Sequence, residues 1–299
     1  MTNQLRFDRR VALITGAGGG LGRAYALLLA ARGASVVVND LGGSMHGEGA
    51  GTTAADRVVT EIQAAGGEAI ANYDSVDTWE GGEKMIAAAV DEFGKVDIVV
   101  NNAGILRDKS FAKMDASLID PVIDVHLRGA FYVTQPAWGV MKEKNYGRII
   151  NTSSNSGLLG NFGQANYGAA KMGLVGFTRV LANEGKKSNI KANAIAPVAM
   201  TRMTEELLGG FGEELDPALV TPVVVYLAHE SCPVSGEVYS AAGGVVARFF
   251  IGLTEGYYNP QLTAEDVRDH FDQIRDEEGY IVPDDPSGEL GKLLKILSS

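Results

Sequence analysis

The chain has 299 residues, of which 45% are hydrophobic and 21% charged, and a net charge of −11. This is the balance of a globular protein with a large core. The acidic excess argues against a nucleic-acid partner, which needs clustered Lys and Arg, but not against an anionic cofactor held by backbone N–H groups. A lone Cys232 cannot form an internal disulfide, no long apolar run is available to span a membrane, and the polar MTNQLRFDRR opening is not expected to be a secretory signal.

Val11 to Thr15 (VALIT) is a short apolar, β-branched run and predicts a strand ending at Gly16. A helix over Leu21 to Ala31 follows and stops near Gly33. Ser35 to Asn39 is the next strand, Thr53 to Ala65 a helix, Glu68 to Tyr73 a strand and Thr78 to Phe93 a helix. Val96 to Val100 is a fourth strand, leading into Asn101-Asn102-Ala103-Gly104. A long helical region runs from Ala116 to Lys144, with Pro121 and Pro136 as its expected points of starting or bending. Beyond it lie a strand over Arg148 to Thr152, a helix over Asn166 to Glu184 and a strand over Ile190 to Ala196. Pro217 to His229 is helical and Glu237 to Ala241 a last short strand. Strands apolar throughout, alternating with helices, predict an α/β fold. It is a Rossmann-like, doubly wound parallel sheet with helices on both faces.

Two stretches break the alternation. Gly42 to Thr53 is a glycine-rich loop after the second strand. The tail from Arg248 carries Thr263 and Asp266 at capping-box spacing before an expected helix of Ala264 to Glu277, and ends in an expected short helix over Lys292 to Leu297. The expected organisation is therefore a domain over residues 1–247 and a helical C-terminal extension over 248–299, packed on the core or on a neighbouring subunit.

Chemistry-bearing residues gather at predicted strand ends. Thr15 to Gly22 reads TGAGGGLG, and a strand–glycine turn–helix sequence sets a pyrophosphate at a helix N-terminus. Gly16, Gly20, Leu21 and Gly22 are the candidate cofactor contacts. Asp40 ends the second strand, where a carboxylate accepts from the ribose hydroxyls of NAD and repels the 2′-phosphate of NADP. No Arg occurs between Arg32 and Arg57 to bind such a phosphate, so NAD is the expected cofactor. Tyr167 and Lys171 are four apart on a predicted helix and share a face. An adjacent ammonium favours the phenolate, which lets a tyrosine take a proton from an alcohol while hydride leaves its carbon. Ser154 follows a strand and can orient the substrate oxygen. The four histidines, His46, His126, His229 and His270, show no metal-ligand spacing, so no metal is expected.

TGAGGGLG, NNAG (Asn101 to Gly104), Ser154 and Tyr167-x-x-x-Lys171, in this order, resemble the short-chain dehydrogenase/reductase family. NDLGG (Asn39 to Gly43), YDSV (Tyr73 to Val76), NNAGILRD (Asn101 to Asp108) and GNFGQANY (Gly160 to Tyr167) resemble one branch of it. So do IAP and TRMT (Ile195 to Pro197, Thr201 to Thr204) and LAHES (Leu227 to Ser231). This branch holds the (3R)-hydroxyacyl-CoA dehydrogenase units of peroxisomal multifunctional enzymes, also described as 17β-hydroxysteroid dehydrogenases. The resemblance implies that Tyr167 is the general acid/base, Lys171 lowers its pKa and binds the nicotinamide ribose, and Ser154 positions the substrate oxygen. Ser75 and Val76 would flank the adenine, with Asp74 as the alternative partner. Asn102, Ala103 and Gly104 would line the adenosine side, and Pro197 and Val198 would lie near the nicotinamide. Val198 replaces the glycine frequent in the family. His126 stands where most of the family has an asparagine of a proton relay, and is read either as its substitute or as a packed core histidine.

The expected reaction is NAD-dependent oxidation of a (3R)-3-hydroxyacyl-CoA to the 3-oxoacyl-CoA. A 17β-hydroxysteroid or other secondary alcohol is the alternative substrate, and a non-catalytic NAD-binding regulator the alternative role. Lys109, Lys113 and Arg202 are candidates for the phosphates of CoA, and residues 198–215 are expected to form a lid. The resemblance also implies a homodimer or homotetramer built on the 116–144 and 166–184 helices. A stand-alone unit without a peroxisomal address is expected to be cytoplasmic.

Overall fold

The computed structural model describes residues 4–199 and 212–298. The strands are β1 (Val11–Thr15), β2 (Ser35–Asn39), β3 (Glu68–Asn72), β4 (Ile98–Asn101), β5 (Gly147–Thr152), β6 (Ile190–Val198), β7 (Val238–Ala242) and β8 (Val245–Phe249). They form one eight-stranded sheet in the order β3-β2-β1-β4-β5-β6-β7-β8, with parallel pairing at every step from β3 to β7. The order reverses between β1 and β4, which makes the carboxyl ends of these two strands a topological switch point.

The strands are apolar on both sides because both sides are covered. Ala12, Ile14, Val36, Val38, Ile98 and Val100 enter one core, against α1 (Gly20–Ala31), α2 (Thr53–Ala64) and α8 (Thr221–Ala228). Their neighbours Val11, Leu13, Val37 and Val99 enter the other, against α3 (Trp79–Phe93), α5 (Gly129–Glu143) and α7 (Ala165–Gly185). Each such Val, Leu or Ile side chain, taken fully out of water, stabilises the fold by roughly 1.5–3 kcal/mol.

The long helical region is α4 (Ala116–Ile123), a π-helical turn (Asp124–Arg128) and α5 in immediate succession. The departure from α-helical geometry is the π turn, and Pro121 and Pro136, expected to start or bend parts of the region, lie inside α4 and α5. Pro121 has no N–H for the Ser117 carbonyl, and Arg107 Nη1 donates to that carbonyl at 2.8 Å instead. Pro136 frees the Tyr132 carbonyl in the same way, and α3 crosses there at Gly82, whose Cβ would stand 2.1 Å from that oxygen.

Two elements have no counterpart in the sequence reading. The five-residue α6 (Asn155–Leu159) starts at Ser154. Strand β8 returns from β7 through Gly243-Gly244, both at positive φ (52° and 81°), as a two-residue hairpin turn requires. Its residues are largely exposed, so it lacks the apolar signature of the inner strands.

The chain divides into two compact units, Met1–Arg248 and Phe249–Ser299. In the second, the expected helix of Ala264 to Glu277 is broken at His270 into α9 (Ala264–Asp269) and α10 (Phe271–Arg275). The Thr263–Asp266 capping box is formed. The final helix is longer than expected: α11 spans Pro286–Leu297, because Asp285 caps it and Pro286 occupies its first turn. No described residue of this unit is buried. No described helix is long and apolar enough to cross a membrane.

Candidate active site

The glycine turn between β1 and α1 is held by contacts that leave no room for side chains. A Cβ on Gly22 would stand 2.3 Å from the Gly16 carbonyl, and one on Gly16, at φ +63°, 2.8 Å from Ala103 Cα. Gly20 also has positive φ (52°) and opens α1, with Leu21 behind it against the first core. The helix has neither a side-chain cap nor an acidic residue in its first turn, so its N-terminal N–H groups face a site suited to an anion. Asn102 clamps the turn: its Nδ2 donates to Thr15 O (2.9 Å) and Gly16 O (3.1 Å). Thr15 Oγ1 accepts from the N–H groups of Asn102 and Ala103, both at 3.0 Å. The amide of Asn102 therefore shapes the cradle.

Asp40 lies at the end of β2 beside this turn. Its carboxylate accepts from Gly18 N and Gly42 N, each at 2.7 Å. Ser75 and Val76 follow β3, and Val76 is buried beneath Gly129. Asp74 bonds back to Asn72 through both its N–H and its carboxylate. Pro197 and Val198 extend β6 beyond the predicted end at Ala196. Pairing with β5 stops at Ile195, so Pro197 has no strand on that side to need its missing N–H. These candidates all sit at the carboxyl ends of their strands. The cradle, Asp40 and the uncapped helix fit a nicotinamide dinucleotide in the donors and space they offer.

The reactive group stands on the β5 and α7 side. Ser154 caps α6 through the N–H of Ser156, its hydroxyl donates to Asn155 Oδ1 at 3.3 Å, and it lies near enough to the Tyr167 hydroxyl to lower its pKa. Lys171 lies one helical turn beyond Tyr167, almost wholly buried, with its Nζ 5.4 Å from the ring centroid and donating to Thr152 O. Ser153 donates to the Lys171 carbonyl at 2.8 Å, which ties the helix to β5. His126, on the π turn, meets the Tyr167 ring edge-on at 5.1 Å. Its Nε2 contacts both N and O of Ile105 (3.0 and 2.8 Å), and its Nδ1 is buried without a protein partner. Gly104 is required here, since a Cβ would stand 2.3 Å from His126 Cε1. A small cavity beside these groups is lined by Thr15, Asn101, His126 and Lys171, among others.

Burial dominates the electrostatics. It pushes the Lys171 ammonium down to about 7. It also pushes the Tyr167 hydroxyl up, against the contact with Ser154, which acts downward. Desolvation is the largest influence on both groups. Burial holds His126 well below its ordinary value, assisted by the Lys171 charge, so the imidazole is neutral at physiological pH.

Several positioning residues were not legible beforehand. Asn166 Nδ2 donates to Arg107 O (3.0 Å) and Leu118 O (2.7 Å), and its Oδ1 accepts from Tyr167 N at 2.8 Å. Gln164 Nε2 donates to Asp108 at 2.6 Å. Both polar side chains are buried, yet nothing in their spacing marks them. Arg57 Nη2 donates to Gly18 O at 3.3 Å, so an arginine does stand at the Asp40 turn, contrary to the expectation from sequence distance. Lys109 and Lys113 are exposed on the segment joined to the Gly163 loop by Lys109 N→Gly163 O (2.8 Å). Arg202 and most of the expected 198–215 lid lie outside the described residues.

Comparison with known proteins agrees with this arrangement. The model of the short chain dehydrogenase family matches residues 10–208. The chain is similar to the peroxisomal multifunctional enzyme type 2 of Mus musculus, at 50% identity over 302 residues. That match covers 99% of this chain but only 41% of the mouse protein. It is 52% identical over 272 residues to a short-chain type dehydrogenase/reductase of Mycobacterium tuberculosis, covering 90% of this chain and 95% of that one. The full-length multifunctional enzyme type 2 of Drosophila melanogaster superposes with a TM-score of 0.83 at 43% identity, over 98% of this chain and 50% of that one. The chain belongs to the short-chain dehydrogenase family, and is an oxidoreductase of a family that uses NAD or NADP.

Proposed function

We propose that the protein oxidises a secondary alcohol with NAD, and that its substrate is a (3R)-3-hydroxyacyl-CoA, converted to the 3-oxoacyl-CoA. The observation that carries the reaction is a buried Lys171 with its Nζ 5.4 Å from the Tyr167 ring, next to Ser154 and beside a cradle suited to a dinucleotide. NAD, bound along Gly16, Gly20, Leu21, Gly22 and Asp40, supplies the hydride acceptor. Ser75 and Val76 flank the adenine side, Asn102 to Gly104 shape the turn beside it, and Pro197 and Val198 close the nicotinamide end. Ser154 donates a hydrogen bond to the substrate oxygen and fixes its orientation. Tyr167 removes the proton from that oxygen as the alcohol is oxidised and returns it in the reverse direction. Lys171, when charged, stabilises the phenolate from beneath and holds the nicotinamide ribose. His126 holds the backbone of Ile105, in the loop after β4, and keeps the Tyr167 ring in place.

The acyl-CoA reading is supported by the mouth of the site. Phe111, Leu159 and Phe162 are 76%, 74% and 90% exposed on the segments that flank Ser154 and Tyr167, with Lys109 and Lys113 alongside. An apolar rim next to two ammonium groups suits an acyl chain carried on an anionic group. The family relationship to the multifunctional enzymes points the same way. We also propose a homo-oligomer joined through α5 and α7, where Phe131, Met172 and Val180 are exposed.

The test is NADH formation from (3R)- and (3S)-hydroxyacyl-CoAs, free hydroxy acids and 17β-hydroxysteroids, with Tyr167→Phe as the control. Turnover of the (3R)-thioester alone is expected. Turnover of steroids alone would overturn the acyl-CoA assignment, and a fully active Tyr167→Phe would overturn the mechanism.

A further inference from the structure

Arg57 has no role in the reaction as proposed, yet it stands at the nucleotide turn. Gly18 is held from two sides: its N–H donates to Asp40 Oδ2 at 2.7 Å, and its carbonyl accepts from Arg57 Nη2 at 3.3 Å. The glycine is needed because a Cβ there would lie 2.7 Å from both Asp40 Oδ2 and Ala54 Cβ. Ala54 and Arg57 are three apart on α2 and share the face turned toward this glycine. A carboxylate and a guanidinium therefore meet at one residue of the cradle.

The neighbouring charges are otherwise paired. Arg23 forms an ion pair with Glu61, and Asp56 accepts from the Tyr73 hydroxyl. Arg57 takes part in none of the ion pairs among the described residues. Its side chain is exposed, and most of its N–H donors face solvent. A planar fork of this kind is suited to bidentate contact with a phosphate.

Resting on the reading that this turn holds a nicotinamide dinucleotide, we propose that Arg57 is a specificity-determining residue, set against Asp40. Asp40 accepts from a free ribose 2′-hydroxyl and repels a 2′-phosphate. Arg57, on the other side of Gly18, attracts that phosphate and offsets part of the repulsion. NADP is then disfavoured through Asp40 alone, and the removal of one negative charge exposes a phosphate site that is already built.

The experiment measures dissociation constants of NAD, NADP and 2′,5′-ADP by calorimetry on the full chain, for the wild type, Asp40→Ser, Arg57→Gln and the double variant. Binding is read directly, so the result does not depend on the identity of the alcohol. Asp40→Ser is expected to tighten NADP and 2′,5′-ADP by about tenfold or more, the size of one or two charge-assisted hydrogen bonds. Adding Arg57→Gln is expected to remove most of that gain, while the NAD constant moves less than the NADP constant. Equal NADP affinity in Asp40→Ser and in the double variant overturns the inference while leaving NAD binding, and hence the proposed reaction, intact. If the wild type binds neither dinucleotide, both readings fall.

Discussion

The glycine cradle and the cluster of Ser154, Tyr167 and Lys171 lie at the carboxyl ends of the strands of one sheet, and they are made of different material. The cradle is mostly backbone: Gly16, Gly18 and Gly22 let peptide groups approach one another, and Asn102 and Thr15 bind those groups in place. The cluster is side chains, with Lys171 and His126 each 3% exposed and Ser154 7%. Backbone N–H groups keep their partial charge at any pH, so the cradle can bind an anion without a titrating group. Buried titratable side chains have pKa values set by their surroundings, which is what proton transfer near neutrality needs. The two regions should therefore fail in different ways when changed.

The largest difference is expected for Tyr167→Phe. Loss of the proton carrier should lower kcat by about 10²–10⁴-fold, the ordinary contribution of a general acid–base group, with nucleotide affinity little changed. Rapid-mixing measurement of NADH formation, together with calorimetric binding of NAD, separates the two quantities. A parallel loss of binding would erase the division drawn here.

Gly22→Ala should produce the opposite pattern. Its methyl group would meet the Gly16 carbonyl and the Asn102 amide, so the turn must open, at a cost of about 1–3 kcal/mol in stability. Nucleotide affinity should fall together with the melting temperature. A variant that melts normally and binds NAD normally would show that the close approach at Gly22 is not needed.

Lys171→Met tests the burial of the cluster. A lysine in water keeps its proton to about pH 10.4, whereas the buried Lys171 gives it up at about 7. Between these values the unfolded chain binds a proton that the folded chain does not, so wild-type stability rises with pH across this window. Below pH 7 the full cost of burying the ammonium is present. The methionine variant should accordingly be more stable than the wild type at pH 6, with the gap narrowing toward pH 10, while turnover is lost at both. Urea midpoints at the two ends of the range decide it, and a gap independent of pH would refute the burial account.

The smallest effect is expected for His126→Asn. The histidine is neutral in the folded protein well below its ordinary pKa, so wild-type stability is lost as pH falls through about 6.5, where the unfolded histidine takes a proton. The asparagine variant should lose less stability between pH 7 and 5. A steeper acid limb in the variant would mean that His126 is charged when folded.

The same contrast explains what could be read from the chain. TGAGGGLG is legible because its chemistry is local: eight consecutive residues make the turn and start the helix. Tyr167 and Lys171 are legible because four residues make one turn of α7. The strands of the core are legible to within one or two residues, since burial on both faces leaves a run of apolar residues. β8 is not legible, because exposed residues leave no such run. In the C-terminal unit, the Thr263 capping box was readable but the break at His270 was not. A unit with no buried residue gives little hydrophobic pattern by which to judge helix length.

From sequence alone came the α/β alternation, the parallel sheet, the glycine turn with Asp40 beside it, and the serine, tyrosine and lysine of the reactive end, all carried by short-range spacing and strand patterning. Tertiary structure alone decided which distant groups meet. It brings His126 against Gly104 and Tyr167, removes Lys171 from water, and sets Arg57 across Gly18 from Asp40. Those contacts join residues 22 to 41 positions apart, and a separation along the chain carries no distance in space until the sheet and its helices have packed.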